Sequence, residues 1–91
     1  MSARTVWKFP LRLETLPDSA QPLDIPIGAT LVHVQSQDDR PCMWFECNPA
    51  AETEVRTFGI IPTGGDAPAG GTYRGTVHVG WTVWHIYEAT S

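Results

Sequence analysis

A glycine-rich loop near the end of the chain has the residue types best suited to bind an anion. It covers residues 62–71, of which four are Gly and two are Pro. Loops of this length in a small domain tend to carry function or to move. Backbone N–H groups of consecutive small residues can form a concavity that binds an anion. The loop residues predicted to bind a ligand are Thr63, Gly64 and Gly65.

Two arginines stand on the strands predicted beside this loop. Arg56 lies in the strand before the loop and Arg74 in the strand after it. A guanidinium binds phosphate oxygens in a forked geometry, so we expect these side chains to hold a phosphate. The residue order is not that of a P-loop, which needs a Lys and a following helix. The pattern therefore favours binding over nucleotide hydrolysis, and a flexible connection beside two solvated arginines is the alternative.

Aromatic residues on the predicted strands supply the second half of a nucleotide site. An indole near an arginine can stack a nucleobase, and we expect Trp44 or Trp84 to do so. His85 is a further ligand-binding candidate. No Ser, Cys or carboxylate stands at a motif-defined distance from it, so no catalytic residue and no enzyme activity are predicted. Burial of Trp84 in the core and a structural role for His85 are the alternatives.

Neither a metal site nor a cofactor is predicted. The chain has no C-x-x-C or H-x-x-x-H motif, although its three histidines could meet if the fold brought their strands together. Cys42 and Cys47 are five positions apart on one predicted strand. Their side chains then point to opposite faces, so we expect two reduced, packed thiols rather than a disulfide.

Length and charge limit the class of protein. Ninety-one residues, 42% of them hydrophobic, predict a single domain over residues 1–91 with a modest core. The net charge of −4 disfavours broad nucleic-acid binding, which needs a basic surface. No apolar stretch approaches the roughly 20 residues of a membrane span, and residues 1–5 have no apolar signal region. We therefore expect no membrane association and a cytoplasmic location.

The chemistry-bearing residues must be positioned by β-strands, because no segment shows sustained helical periodicity. The predicted strands are Thr5–Leu13, Leu23–Ile27, Thr30–Ser36, Pro41–Asn48, Val55–Ile61, Thr72–Val79 and Trp81–Glu88. Six or seven short antiparallel strands predict an all-β domain, as a compact sandwich, an open barrel or a curved sheet. So small a sheet leaves open edges, which together with four Trp favours a homo-oligomer.

Strand alternation predicts which side chains share a face. In strand 41–48, Cys42, Trp44 and Glu46 should lie opposite Met43, Phe45 and Cys47, and both faces are apolar enough for a central strand. The last two strands are assigned in the same way. Tyr73, Gly75 and Val77 should share one face of their strand, and Val83, His85 and Tyr87 one face of the next.

Several segments together resemble a family of small bacteriophage-encoded proteins, most of them known only as hypothetical proteins. The segments are Trp7–Pro10, Leu31–Gln35, Pro41–Phe45, Arg56–Ile60, Thr63–Gly64, Gly75–Val77 and Val83–Glu88. The resemblance runs from about Thr5 to Glu88. It implies an accessory anti-defence role in the host cytoplasm.

Small phage β-proteins that sequester nucleotide immune signals suggest the specific hypothesis. By that analogy the chain would capture a small nucleotide-like ligand, either a cyclic ADP-ribose-like molecule or a cyclic dinucleotide. Its leading alternative is a protein–protein inhibitor of a host defence effector or nuclease. An enzyme that degrades the signal and a structural virion component are further alternatives.

Overall fold

Two antiparallel sheets make up the fold. The computed structural model describes residues 3–13 and 20–89, and these form seven strands: β1 (Thr5–Pro10), β2 (Gln21–Pro26), β3 (Thr30–Gln37), β4 (Arg40–Cys47), β5 (Thr53–Pro62), β6 (Thr72–Val79) and β7 (Thr82–Glu88). One sheet has the order β1-β4-β3 and the other β2-β5-β7-β6. The all-β prediction is confirmed. Nowhere in these two ranges does a helix have the length and apolar character to cross a membrane.

Two-residue turns with positive φ angles connect β3 to β4 and β6 to β7. Asp38 and Asp39 connect β3 to β4 with φ angles of 54° and 59°. Two positive φ angles match a type I′ turn, whose twist suits a two-residue hairpin and which Asp tolerates. Gly80, with φ of 59°, turns β6 into β7. The polar hairpin predicted at residues 37–40 is therefore confirmed.

The core lies between the two sheets and follows the alternation predicted for β4. Met43, Phe45 and Cys47 are buried, and the Phe45 ring lies 6.1 Å from that of Phe58 on the opposite sheet. β4 is the central strand of its sheet, as predicted. The buried cluster consists of Leu11, Ile25, Met43, Phe45, Phe58, Ile60, Val77, Trp84 and Ile86. Cys42 and Cys47 are both buried free thiols, which confirms the prediction of no disulfide.

β3 and β6 lie close together along one edge of the sandwich. Each strand carries a bulge: the pairing of β3 with β4 skips Val32, and the pairing of β6 with β7 skips Arg74. A Cβ atom at Gly75 would overlap Cγ2 of Val34. Only glycine lets the two backbones approach this closely, so the sheets nearly meet along this edge.

Because of the bulge in β6, the face of the sheet predicted for Tyr73 is wrong. Simple alternation puts Tyr73 on the core side with Val77, but skipping Arg74 turns Tyr73 to the outer face. Tyr73 there lies opposite Tyr87, with ring centroids 5.6 Å apart, and its hydroxyl contacts Thr76 Oγ1. The outer face of the four-stranded sheet is thus richer in polar side chains than the sequence pattern indicates.

Candidate functional site

The structure places Arg56 in an internal ion pair and not beside the loop. Its Nε donates to Glu88 Oε2 at 2.6 Å and its Nη2 to Glu88 Oε1 at 2.9 Å. Nη1 donates to the carbonyl oxygen of Ala29 at 3.0 Å, and the guanidinium lies 5.0 Å from the Phe45 ring centroid. Every nitrogen of this guanidinium already has an acceptor, so binding a phosphate would require breaking the pair.

Hydrogen bonding to Glu88 is also the main cause that raises the pKa of Arg56 above its ordinary value. Partial burial acts in the opposite direction, and the charges of Glu88 and Glu54 add smaller raising effects. Because the ordinary pKa of arginine already lies far above neutral pH, the side chain stays charged throughout the physiological pH range. Arg56 is therefore a permanent structural cation that anchors the end of β7 to β5.

Arg74 approaches the same carboxylate but is less completely satisfied. Its Nε lies 3.3 Å from Glu88 Oε1, within ion-pair range. The same Nε is buried and has no hydrogen-bond acceptor among the described residues. Glu88 is already held in a bidentate pair by Arg56, so the three side chains together carry a formal charge of +1. The Arg74 side chain as a whole is 24% exposed, so part of it remains open to solvent.

The two tryptophans predicted to stack a base lie away from the loop. Trp84 faces the core opposite Val77, and only 7% of it is exposed, so its ring has no free face for a ligand. Trp44 lies on the outer face of the three-stranded sheet, the sheet that does not include the strands beside the loop. Its nearest aromatic neighbour is His33, with ring centroids 5.5 Å apart.

The structure does bring the loop residues and His85 together. A pocket of about 220 Å³ opens between residues 62–71 and the outer face of β5 and β7. It is lined by Ile61, Pro62, Thr63, Gly64, Gly65, Ala67, His85 and Tyr87. Four of the eight predicted ligand-binding residues therefore share one wall.

His85 is held at this pocket by two threonines. Its Nε2 lies 2.9 Å from Thr63 Oγ1 and its Nδ1 lies 3.0 Å from Thr76 Oγ1. A neutral imidazole has one donor and one acceptor nitrogen, and each hydroxyl can take either role. Tyr73 extends the chain of polar contacts through Thr76. With both nitrogens engaged, the ring is fixed in orientation, and it suits recognition better than proton transfer.

The loop backbone does not form the anion concavity that its glycines suggest. The N–H of Thr63 donates to the Val83 carbonyl at 3.1 Å, and the N–H of Gly65 donates to the Pro62 carbonyl at 2.9 Å. Gly64 has φ of 95°, as a tight turn requires. Two of the three backbone donors predicted to bind an anion are thus used inside the loop. The pocket wall combines apolar and polar groups and contains no charged side chain.

Sequence reasoning missed three contributors to this site. Tyr87 shares a face with His85, so alternation placed it correctly, but nothing in the pattern marked it as a pocket wall. Thr76 and Tyr73 lie on the neighbouring strand β6, and their contact depends on register. A bulge at Arg74 sets that register, and a single sequence has no signal for it.

Comparison with known proteins gives a family but no function. The chain matches a domain of unknown function, DUF7352, over residues 2–91, and it belongs to that family. No curated protein matches it, and no solved structure does. Within residues 3–13 and 20–89, no three His, Cys, Asp or Glu side chains gather as a metal ion would need.

Proposed function

We propose that this member of the DUF7352 family is a non-enzymatic binding protein whose ligand enters the pocket under loop 62–71. One observation supports this most directly: Thr63 and Thr76 hold the His85 ring in a fixed orientation at the pocket wall. A ring held in advance binds a ligand without the entropic cost of ordering a mobile side chain.

Pocket size and chemistry narrow the class of ligand. A volume of about 220 Å³ is below the roughly 300–1,000 Å³ typical of drug-sized ligands, so it suits one ring-sized group. Its wall offers a hydroxyl, an imidazole and the Tyr87 ring, with no charged side chain. A planar uncharged group with donors and acceptors fits this description. In a nucleotide that group is the base.

The nucleotide hypothesis therefore takes a changed form. The base would occupy the loop pocket, and the phosphates would lie outside it, since Arg56 is committed to Glu88. A cyclic ADP-ribose-like molecule or a cyclic dinucleotide is larger than the pocket, so a second subunit of a homo-oligomer would cover the remainder. Sequestering such a host immune signal is the anti-defence role that the phage resemblance implies.

Calorimetric titration tests this proposal with matched threonine variants. The protein is titrated with adenosine, guanosine, a cyclic ADP-ribose variant and cyclic dinucleotides. Thr63→Val removes the hydroxyl beside His85 and should weaken binding by about fivefold, because a hydrogen bond contributes about 1 kcal/mol. Thr53→Val, an exposed threonine on β5, should change nothing. No heat with any nucleoside or nucleotide from a folded protein would refute the proposal.

Two further measurements distinguish binding from catalysis and test whether a second subunit completes the pocket. Chromatography of the ligand after incubation should recover it unchanged, and its conversion would mean that the protein is an enzyme. Light scattering on the eluted protein gives its mass in solution. A monomer in both free and ligand-bound states would exclude the shared pocket.

An exposed tryptophan favours a second candidate function. Trp81 lies at the β6–β7 turn and is fully exposed. Tryptophan is enriched among the residues that dominate protein–protein binding, so the hairpin tip suits an inhibitor of a defence effector. A purified complex with such an effector should then be lost on Trp81→Ala and be unchanged by nucleotides. A complex that survives Trp81→Ala would argue against this candidate.

A further inference from the structure

A second cavity, of about 270 Å³, lies at the edge where β3 and β6 come together. Its lining residues are Leu31, Val32, His33, Val34 and Arg74. Val32 and Arg74 are the two residues that the strand pairings skip, so both bulges border the same cavity. Bulges re-aim side chains and are common beside binding sites. The cavity is separate from the loop pocket, with which it shares no lining residue.

The ion-paired side chains Arg56, Arg74 and Glu88 carry one surplus positive charge, and the charge of Glu54 acts on Arg56 from outside this group. Each nitrogen of Arg56 donates one hydrogen bond to Glu88 or Ala29, and Arg74 shares one carboxylate oxygen with it. The Nε of Arg74 is buried without a hydrogen bond to any described residue, although a guanidinium has five N–H donors. The Arg74 side chain is 24% exposed, and one negative charge at this exposed part would neutralise the three side chains taken together.

The remaining wall is apolar. Leu31, Val32 and Val34 are aliphatic and follow one another closely along β3. His33 completes the lining, and its Nε2 lies 3.0 Å from Gln35 Oε1, so its ring is already engaged on its own strand. A ligand that fits both Arg74 and the aliphatic wall carries a single negative charge at one end and a short hydrocarbon chain at the other.

We propose that this cavity binds the carboxylate of a small ligand with a short aliphatic chain. Arg74 donates hydrogen bonds to the carboxylate, whose planar oxygens match a guanidinium. Leu31, Val32 and Val34 contact the chain. A monoanion matches the surplus of one positive charge, whereas a phosphate dianion would leave a negative charge beside Glu88. This site does not depend on the nucleotide pocket.

Amide chemical shifts of the ¹⁵N-labelled protein test the site. Isobutyrate, inorganic phosphate and sodium chloride are added separately at equal ionic strength. Isobutyrate should shift the amides of residues 31–34 and 74–75 in a saturable way, beyond the chloride reference, and leave residues 63–65 unchanged. Shifts confined to residues 63–65 would overturn this site without affecting the loop proposal. Equal shifts with all three salts would overturn it as well, and saturable binding of phosphate alone would overturn the assignment to carboxylates.

Three variants place the binding on Arg74. Arg74→Gln should weaken isobutyrate binding by about tenfold or more, since it removes a charge-assisted hydrogen bond. Arg40→Gln, at an exposed position next to a turn, should leave it unchanged. Val32 is half exposed and lines the same cavity as Arg74, so we expect Val32→Glu to fold and to place a carboxylate of the protein beside Arg74. It should abolish binding, and unchanged affinity in either Arg74→Gln or Val32→Glu would overturn the proposal.

Discussion

Replacing Gly75 by alanine tests the close approach of β3 and β6, which shapes the cavity beside Arg74. A Cβ atom there would lie less than 3.0 Å from Cγ2 of Val34, a distance that real Cβ atoms essentially never show. Ordinary contact begins at 3.4 Å, so the Val34 side chain or the strand that carries it must move by at least 0.4 Å. Because interiors are close-packed, that movement cannot stay local.

The expected cost is large for a single methyl group. Overpacking typically lowers the free energy of unfolding by about 1–3 kcal/mol. The φ angle of +156° at Gly75 also disfavours a side chain and adds to that cost. In a domain of this size, 1 kcal/mol shifts Tm by about 4–8 °C, so we expect Tm to fall by about 5–20 °C.

Urea unfolding followed by tryptophan fluorescence measures this effect. Gly59→Ala is the matched control, because Gly59 lies within β5 and a Cβ there would meet nothing within 4 Å. We expect it to stay within about 0.5 kcal/mol of the parent. Combining Gly75→Ala with Val34→Ala removes the obstructing methyls, so the double variant should be more stable than additivity predicts by about 1 kcal/mol. Equal costs at Gly75 and Gly59, or an additive double variant, would refute the reasoning.

Two further predictions concern the buried charges and thiols. Glu88→Gln should lower the free energy of unfolding by about 2–4 kcal/mol in urea titrations, because it removes the carboxylate that pairs with two guanidinium side chains, 17% and 24% exposed. Glu46→Gln breaks the exposed pair with Arg4 and should cost less than about 1 kcal/mol, so equal costs would contradict this. Cys42 and Cys47 should react with a disulfide reagent only after unfolding, and immediate labelling of the native protein would contradict their burial.

Much of the fold was predictable because strand formation depends on local pattern. The period-two alternation of β4 identified the buried face of Met43 and Phe45, and the Asp38–Asp39 pair marked a hairpin. β6 was predicted with the bounds that the structure has, because Gly71 and Gly80 flank it. β1 was predicted too long, as it ends at Pro10, whose ring has no N–H for further pairing.

The candidate site was predictable only in part. Thr63, Gly64, Gly65 and His85 were named from the sequence and do share a pocket. Two arginines and one tryptophan were predicted to complete the site because their strands were predicted beside the loop. Nearness in sequence does not decide what a side chain contacts, because that depends on pairing and packing between distant strands and, at Arg74, on a bulge.

The sequence by itself determined the strands, the turns and the residues available for chemistry, because these depend on periodicity and local backbone preference. Only the tertiary structure decided what those residues face. Arg56 forms an ion pair with Glu88, which lies 32 positions later in the chain, and Trp84 is buried in the core. Two bulges and one glycine bring β3 onto β6 and leave Arg74 beside a cavity. Such outcomes depend on contacts between distant strands. A buried charge is costly unless it is paired, so it pairs with whichever opposite charge the fold places beside it.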